Sequence, residues 1–214
     1  MQSPIPDFAA ARRAMVENQL RPQGVTDPVV LDAMASVERE RFLPAHTRPL
    51  AYVDRAVEIG DGRFLAAPAA LGQLLSGMMP NPGERALVVG SGTGYSAAVL
   101  AHIGLDVVAL ESSAELAKTA RELGVDTVEG PLDAGWRKGA PYGLILIEGA
   151  VEHIPETIVA QLGEGGRLGT ALFDRGITRL IVGRKAGGAF GYLSIGDAGI
   201  PALPGFMRPR AFTF

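Results

Sequence analysis

Three glycines at two-residue spacing, Gly90, Gly92 and Gly94, follow directly on an apolar run in the stretch LVVGSGTG. A residue without a Cβ lets the backbone turn sharply and pass close to a ligand. Further on, Glu111 closes a second apolar run, VVAL, and is followed by Ser112. An acid at the end of the second strand of such a unit can accept hydrogen bonds from ribose hydroxyls. Tyr95 stands where a pyrophosphate-binding loop usually has its later glycine. The GxGxG spacing therefore favours S-adenosylmethionine over a dinucleotide. Gly90, Ser91, Gly92, Gly94, Tyr95, Glu111 and Ser112 are the candidate cofactor-binding residues. For each there is a plainer reading: turn glycines with no ligand, a tyrosine that anchors a helix, and a Glu-Ser pair that caps the next helix.

The elements that must hold these residues alternate. Strands are expected at residues 84–89, 106–110, 126–129, 142–147 and 166–172, with helices at 95–103, 113–123 and 154–162 between them. Two further strands, 178–184 and 189–195, flank the turn Ala186-Gly187-Gly188. Strands alternating with helices predict an α/β, Rossmann-like, mostly parallel sheet, and the late pair predicts an antiparallel edge. Ahead of this unit, residues 8–20 carry a partial apolar stripe at helical spacing. Thr26 is a candidate cap for a second helix through about Val37. Pro68 opens a third helix through Gly77. The expected division is a helical appendage over residues 1–80 and an α/β domain over 81–214. The stretch 201–214 is rich in proline and aromatics and is a candidate cover for a site or a partner.

The chain has 214 residues, 47% apolar and 20% charged, with a formal net charge of -3. It has enough apolar residues for a sizeable core. Nothing resembles a stripe of Lys and Arg, so no nucleic-acid partner is expected. The chain has no Cys, which excludes disulfides, thiol catalysis and zinc-thiolate sites. His46, His102 and His153 are too scattered to suggest a metal, and none is expected. The N-terminal residues lack a signal-peptide pattern and no apolar run reaches 18 residues. The expectation is a cytoplasmic protein without a membrane partner.

The order of ARRAMVENQL, VTDPVVLDAM, ERERFLP, AYVDRAVEIGDG, VVGSGTGYSAAVLA and IPETIVAQLGEGGRL resembles the protein-L-isoaspartate O-methyltransferases over roughly residues 10 to 185. The resemblance implies a seven-stranded class I methyltransferase fold. It also implies transfer of a methyl group from S-adenosylmethionine to the abnormal carboxylate of isoaspartyl residues, a protein-repair reaction.

The chain departs from the family's pattern at informative places. After the GDG turn the family has Thr-x-Ser, whereas this chain has Phe64-Leu65-Ala66, so Ala66 stands in the place of the active-site serine. Val88 stands where the family has an acid near the end of the first strand, and Pro131 where it has an Asp that contacts the adenine. Arg63, on the substrate-side turn, is a candidate for attracting a carboxylate. Glu148 ends a strand where open α/β sheets place ligand-facing residues, with Glu152 and His153 nearby as possible acid-base groups. Ordinary exposed polarity is the plainer reading for all of these.

The resulting expectation is an isoaspartyl methyltransferase-like protein with low activity on the standard substrate. Two alternatives stay open: a methyltransferase for a more apolar acceptor, and a non-catalytic donor-binding or interaction protein. The expected partner is a protein or peptide substrate, or a small acceptor.

Overall fold

The computed structural model describes residues 7–206. The part of the C-terminal stretch beyond Phe206 lies outside the described residues. The appendage opens with α1 (Phe8–Met15), capped by the Asp7 carboxylate on the Ala10 amide, and continues as a wider π-helical turn through Leu20. Helix α2 (Pro28–Ser36) is capped by Asp27 rather than Thr26. With Pro28 at the first helical position, the Asp27 carboxylate reaches the Val29 amide at 2.9 Å. A two-stranded hairpin follows, β1 (Val57–Gly60) antiparallel to β2 (Arg63–Leu65), and then α3 (Pro68–Met78).

The remaining elements are β3 (Arg85–Val89), α4 (Tyr95–Ile103), β4 (Asp106–Glu111), α5 (Ala114–Glu122), β5 (Thr127–Glu129), β6 (Tyr142–Val151), α6 (Glu156–Val159), β7 (Leu162–Asp174), β8 (Ile177–Ala186) and β9 (Ala189–Asp197). They form one seven-stranded sheet in the order β5-β4-β3-β6-β7-β8-β9. The pairs from β5 to β7 are parallel, and β7-β8 and β8-β9 are antiparallel. Helix α6 is much shorter than the 154–162 read from sequence. Gln161 leaves the helical path to accept from the Trp136 amide and donate to the Ala134 carbonyl, and β7 begins at the next residue.

Period-2 alternation along the central strands divides the core. Ala86 and Val88 of β3, with Leu144 and Leu146 of β6, face the helical appendage and α3–α4. Leu87, Val89, Ile145 and Ile147 face the opposite side, with Ile158 of α6 and Phe206. The first cluster runs without a break from Met15 in the appendage to Leu146 in β6. Arg167 of β7 fastens α3 to the sheet. It donates to the Met78 and Met79 carbonyls and makes a two-pronged pair with Glu84, both contacts 2.7 Å. The Arg167 bond holds the Glu84 carboxyl below the usual carboxylate range.

Candidate active site

After β3 the chain steps to β4 on one side, and β6 later adds on the other. The crevice at the carboxyl ends of β3 and β6 is therefore the switch point where open α/β sheets bind ligands. The 90–94 loop leaves β3 there, and Glu111 ends β4 beside it. Glu111 is fully buried. Its Oε1 accepts from the amides of Ser112 at 2.7 Å and Ser113 at 3.1 Å, and its Oε2 accepts from the Gly92 amide at 2.7 Å. Gly92 has φ +55°, and a Cβ on it would overlap Ile59 Cδ1 of the hairpin. Gly90 has φ +73°, and a Cβ on it would lie 2.7 Å from Arg63 Nη2 and 3.0 Å from Leu203 Cδ1. The loop is thus glycine-rich because neighbouring side chains crowd it at left-handed φ.

Arg63 does not face an open substrate side, as the sequence suggested. Its guanidinium crosses the crevice: Nη1 donates to Glu111 Oε1 at 2.7 Å, and Nη2 donates to the Gly90 carbonyl. The residue is 6% exposed. The hairpin carrying it is fastened by Asp61, in left-handed backbone at φ +50°, whose carboxylate accepts from the Ser113 hydroxyl. From the other side, residues 200–203 lie along the end of β6. Ala150 donates to the Pro201 carbonyl and Leu203 donates to the Ala150 carbonyl, both at 2.8 Å. This places Leu203 over Gly149 and Gly90. The part of the C-terminal stretch that is described does cover the crevice.

Deeper, Ser96 of α4 donates to Glu148 Oε1. Burial pushes the half-buried Glu148 carboxyl up to about 7, against the pull of the Ser96 bond and of Arg63. Arg39 is fully buried. It donates through Nε to the Ala51 carbonyl at 2.7 Å and through Nη2 to the Ala66 carbonyl at 2.6 Å. Its guanidinium lies 4.9 Å over the Tyr95 ring, which also packs edge-on against Phe42. Burial lowers the Arg39 pKa from its ordinary value and raises that of Tyr95.

Tyr95 is therefore clasped by the appendage at the start of α4. Among the loop hydroxyls, Ser91 Oγ is buried without a hydrogen-bond partner, and Thr93 donates to the Phe42 carbonyl at 2.6 Å. Ser112 adds its hydroxyl to Glu111 at 3.3 Å. Ala66 lines a small cavity with Arg63, Glu148 and Gly149, and Val88 is fully buried in β3.

Sequence reasoning brought the glycine loop, Glu111 and Ser112 together. It did not foresee Arg39, the Asp61–Ser113 tie or Leu203. The signal for Arg39 was within reach, in the run ERERFLP. Only two residues lie between an arginine and an apolar segment that has to be buried.

The buried acid, the glycine loop and the amide set suit S-adenosylmethionine in kind. The donor set is not free in this arrangement, because Arg63 already occupies Glu111. Beside it, Ala66, Arg63 and Glu148 line a separate small cavity of about 20 Å³.

A mostly parallel seven-stranded sheet with this strand order, a glycine loop after its first strand and an acid at the end of its second define a class I methyltransferase. The chain matches the family model for protein-L-isoaspartate(D-aspartate) O-methyltransferase over residues 10–185. Protein-L-isoaspartate O-methyltransferase 1 of Rhodopseudomonas palustris is 41% identical over 168 residues, covering 75% of this chain and 69% of the relative. The enzyme of the same name from Methylorubrum extorquens is 42% identical over 171 residues, 77% of this chain and 75% of the relative. A solved protein-L-isoaspartate O-methyltransferase superposes with a TM-score of 0.79 at 25% identity, covering 91% of this chain and 66% of that one, just short of two thirds. A Plasmodium falciparum protein assigned to the same enzyme family, solved with S-adenosyl-L-homocysteine, shares the fold with a TM-score of 0.77.

The chain belongs to the protein-L-isoaspartate(D-aspartate) O-methyltransferase family. S-adenosylmethionine is the methyl donor of that family.

Proposed function

We propose that this protein is an isoaspartyl methyltransferase that moves a methyl group from S-adenosylmethionine to the carboxylate of an isoaspartyl residue, with low turnover on the standard peptide. The observation that carries the reading is the buried Glu111 carboxylate, set against the glycine loop at the sheet's switch point, in a chain matched to this family over residues 10–185. The partner is a damaged protein or peptide, met in the cytoplasm. Neither a nucleic acid nor a membrane enters the reading. No described helix is long and apolar enough to cross a membrane.

Low turnover follows from Ala66, which lines the cavity beside Glu148, whereas Val88 is buried in the core. A carboxylate docked beside Ala66 meets a methyl group where the family offers a hydroxyl, and desolvating it without that donor is costly. Each charge-assisted hydrogen bond absent at the transition state corresponds to about 1.5–3 kcal/mol, or one to two orders of magnitude in rate. Glu148 borders the same cavity.

The test is transfer of a radiolabelled methyl group to an isoaspartyl peptide, with the normal aspartyl peptide as control. Measurable transfer confined to the isoaspartyl peptide supports the reading, and Ala66→Ser should raise it about tenfold. Equal labelling of both peptides, or none by either form of the protein, would overturn it.

A further inference from the structure

We infer that Arg63 takes the place of the donor's ribose on Glu111, so that S-adenosylmethionine binds only in competition with this chain's own guanidinium. The inference rests on the methyltransferase reading above, because it is that reading which gives Glu111 a ribose to hold.

Of the two Glu111 carboxylate oxygens, Oε1 is crowded with donors and Oε2 holds a single one, so a ribose that engages both oxygens finds one of them already taken. Oε2 takes the Gly92 amide, and Oε1 takes Arg63 together with the Ser112 and Ser113 amides. A neutral hydroxyl is a weaker donor to a buried carboxylate than a guanidinium. Arg63 also donates to the Gly90 carbonyl, so it bridges the two edges of the crevice a donor would enter. The pair is almost wholly shielded, with side-chain exposures of 7% for Arg63 and 0% for Glu111.

The backbone frame holds Arg63 there. Asp61 ties the hairpin to Ser113, at the cap of α5, and Ile59 rests on Gly92. Leu203 closes the remaining side, but its segment is paired to Ala150 through two hydrogen bonds, one donated by the Leu203 amide and one accepted by the Pro201 carbonyl. Moving the Leu203 backbone means breaking those bonds, whereas Arg63 can leave by side-chain rotation that breaks only its own contacts with Glu111 and Gly90. Arg63 is therefore the removable part of the obstruction, and the apparent donor affinity is the intrinsic affinity scaled by the fraction of molecules in which it has left.

Arg63 reads from sequence as a substrate-side residue, and it is separated from Glu111 by 48 positions.

The experiment is calorimetric titration of the full chain with S-adenosylhomocysteine, the stable demethylated product, on the wild type, Arg63→Gln and Arg63→Lys. A parallel urea-unfolding cycle without ligand uses Arg63→Gln, Glu111→Gln and the double variant. The expected result is weak binding by the wild type, at least tenfold tighter binding by Arg63→Gln, and an intermediate value for Arg63→Lys. Unfolding effects should be non-additive, because the two side chains share one interaction. Wild-type affinity equal to or better than that of Arg63→Gln overturns the inference and leaves the methyltransferase reading standing. If no form binds at millimolar ligand while unfolding remains non-additive, the Arg63–Glu111 pairing is upheld and it is the donor-binding reading that fails. Additive unfolding together with unchanged affinity removes the pairing itself.

Discussion

Replacing Glu111 with Ala tests how much of the crevice depends on one carboxylate. The substitution strands the Arg63 guanidinium, which lies 2.7 Å from Oε1 and is almost fully buried. Breaking such a pair by removing one partner costs about 3–5 kcal/mol, because the remaining charge has neither water nor counter-ion. The Gly92 amide, 2.7 Å from Oε2, loses its acceptor as well, for roughly 1–3 kcal/mol more. The Ser112 and Ser113 amides are only part-buried and can turn to water, so they add little. Arg63 keeps the Gly90 carbonyl, which offsets some of the loss.

A net destabilisation of about 4–6 kcal/mol is expected, a large share of the roughly 5–15 kcal/mol that holds a typical domain together. With a urea slope of about 2 kcal/mol per molar, the unfolding midpoint should fall by about 2–3 M. Adding Arg63→Ala to the same chain should recover part of the midpoint, since the orphaned charge goes with it. The assay is equilibrium urea unfolding followed by circular dichroism at neutral pH. A loss below about 1 kcal/mol for Glu111→Ala, or a double variant that is less stable by the full sum of the singles, would refute the reasoning.

Two other outcomes bear on the same crevice. Gly92→Ala combines a left-handed φ of +55° with a methyl group forced onto Ile59, and should cost about 2–4 kcal/mol in thermal unfolding. Ile59→Ala in the same chain should return part of that cost, and no recovery would show that backbone strain alone is responsible. Glu148 sets a pH dependence. Its folded pKa, about 7, lies above an ordinary glutamate value of 4.5, so the native state holds a proton that the unfolded chain releases. The stabilisation is complete below about pH 4.5 and is lost as pH rises through about 7. The full shift corresponds to about 3 kcal/mol, reduced to about 1–2 kcal/mol because the side chain is only half-buried. Glu148→Gln should therefore flatten the fall in stability between pH 5 and 8, and a variant with the wild-type slope would exclude this carboxyl as its source.

Local sequence determined the elements that position the site. The run LVVGSGTG sets a strand directly against three glycines, and the VVAL run delivers Glu111 to the end of the neighbouring strand. These are short-range patterns of period two and period 3.6, and any chain that folds in parallel alternation places both at one edge of the sheet. The antiparallel pair at 177–197 was legible for the same reason, from two apolar runs around Gly187-Gly188. Helix termini were read less well. Thr26 and Asp27 are both good caps by type, and the choice fell to Asp27 through the geometry of the turn entering α2. The end of α6 was set by Gln161 reaching 25 positions back to Trp136.

What occupies the crevice was decided by tertiary structure alone. An arginine at position 63 has the same local meaning whether it points to solvent, to a substrate or to a buried acid. Its partner is chosen only when the hairpin folds over the sheet edge and brings residues 63, 90 and 111 within a few ångströms. The same holds for Leu203, which meets Gly90 because the chain returns along β6, and for Arg39, whose acceptors lie 12 and 27 residues away. Sequence patterns carry the periodicity of neighbours along the chain. The contacts that fill a site between elements depend on which strand ends the topology brings together, and on which side chain is long enough to cross between them.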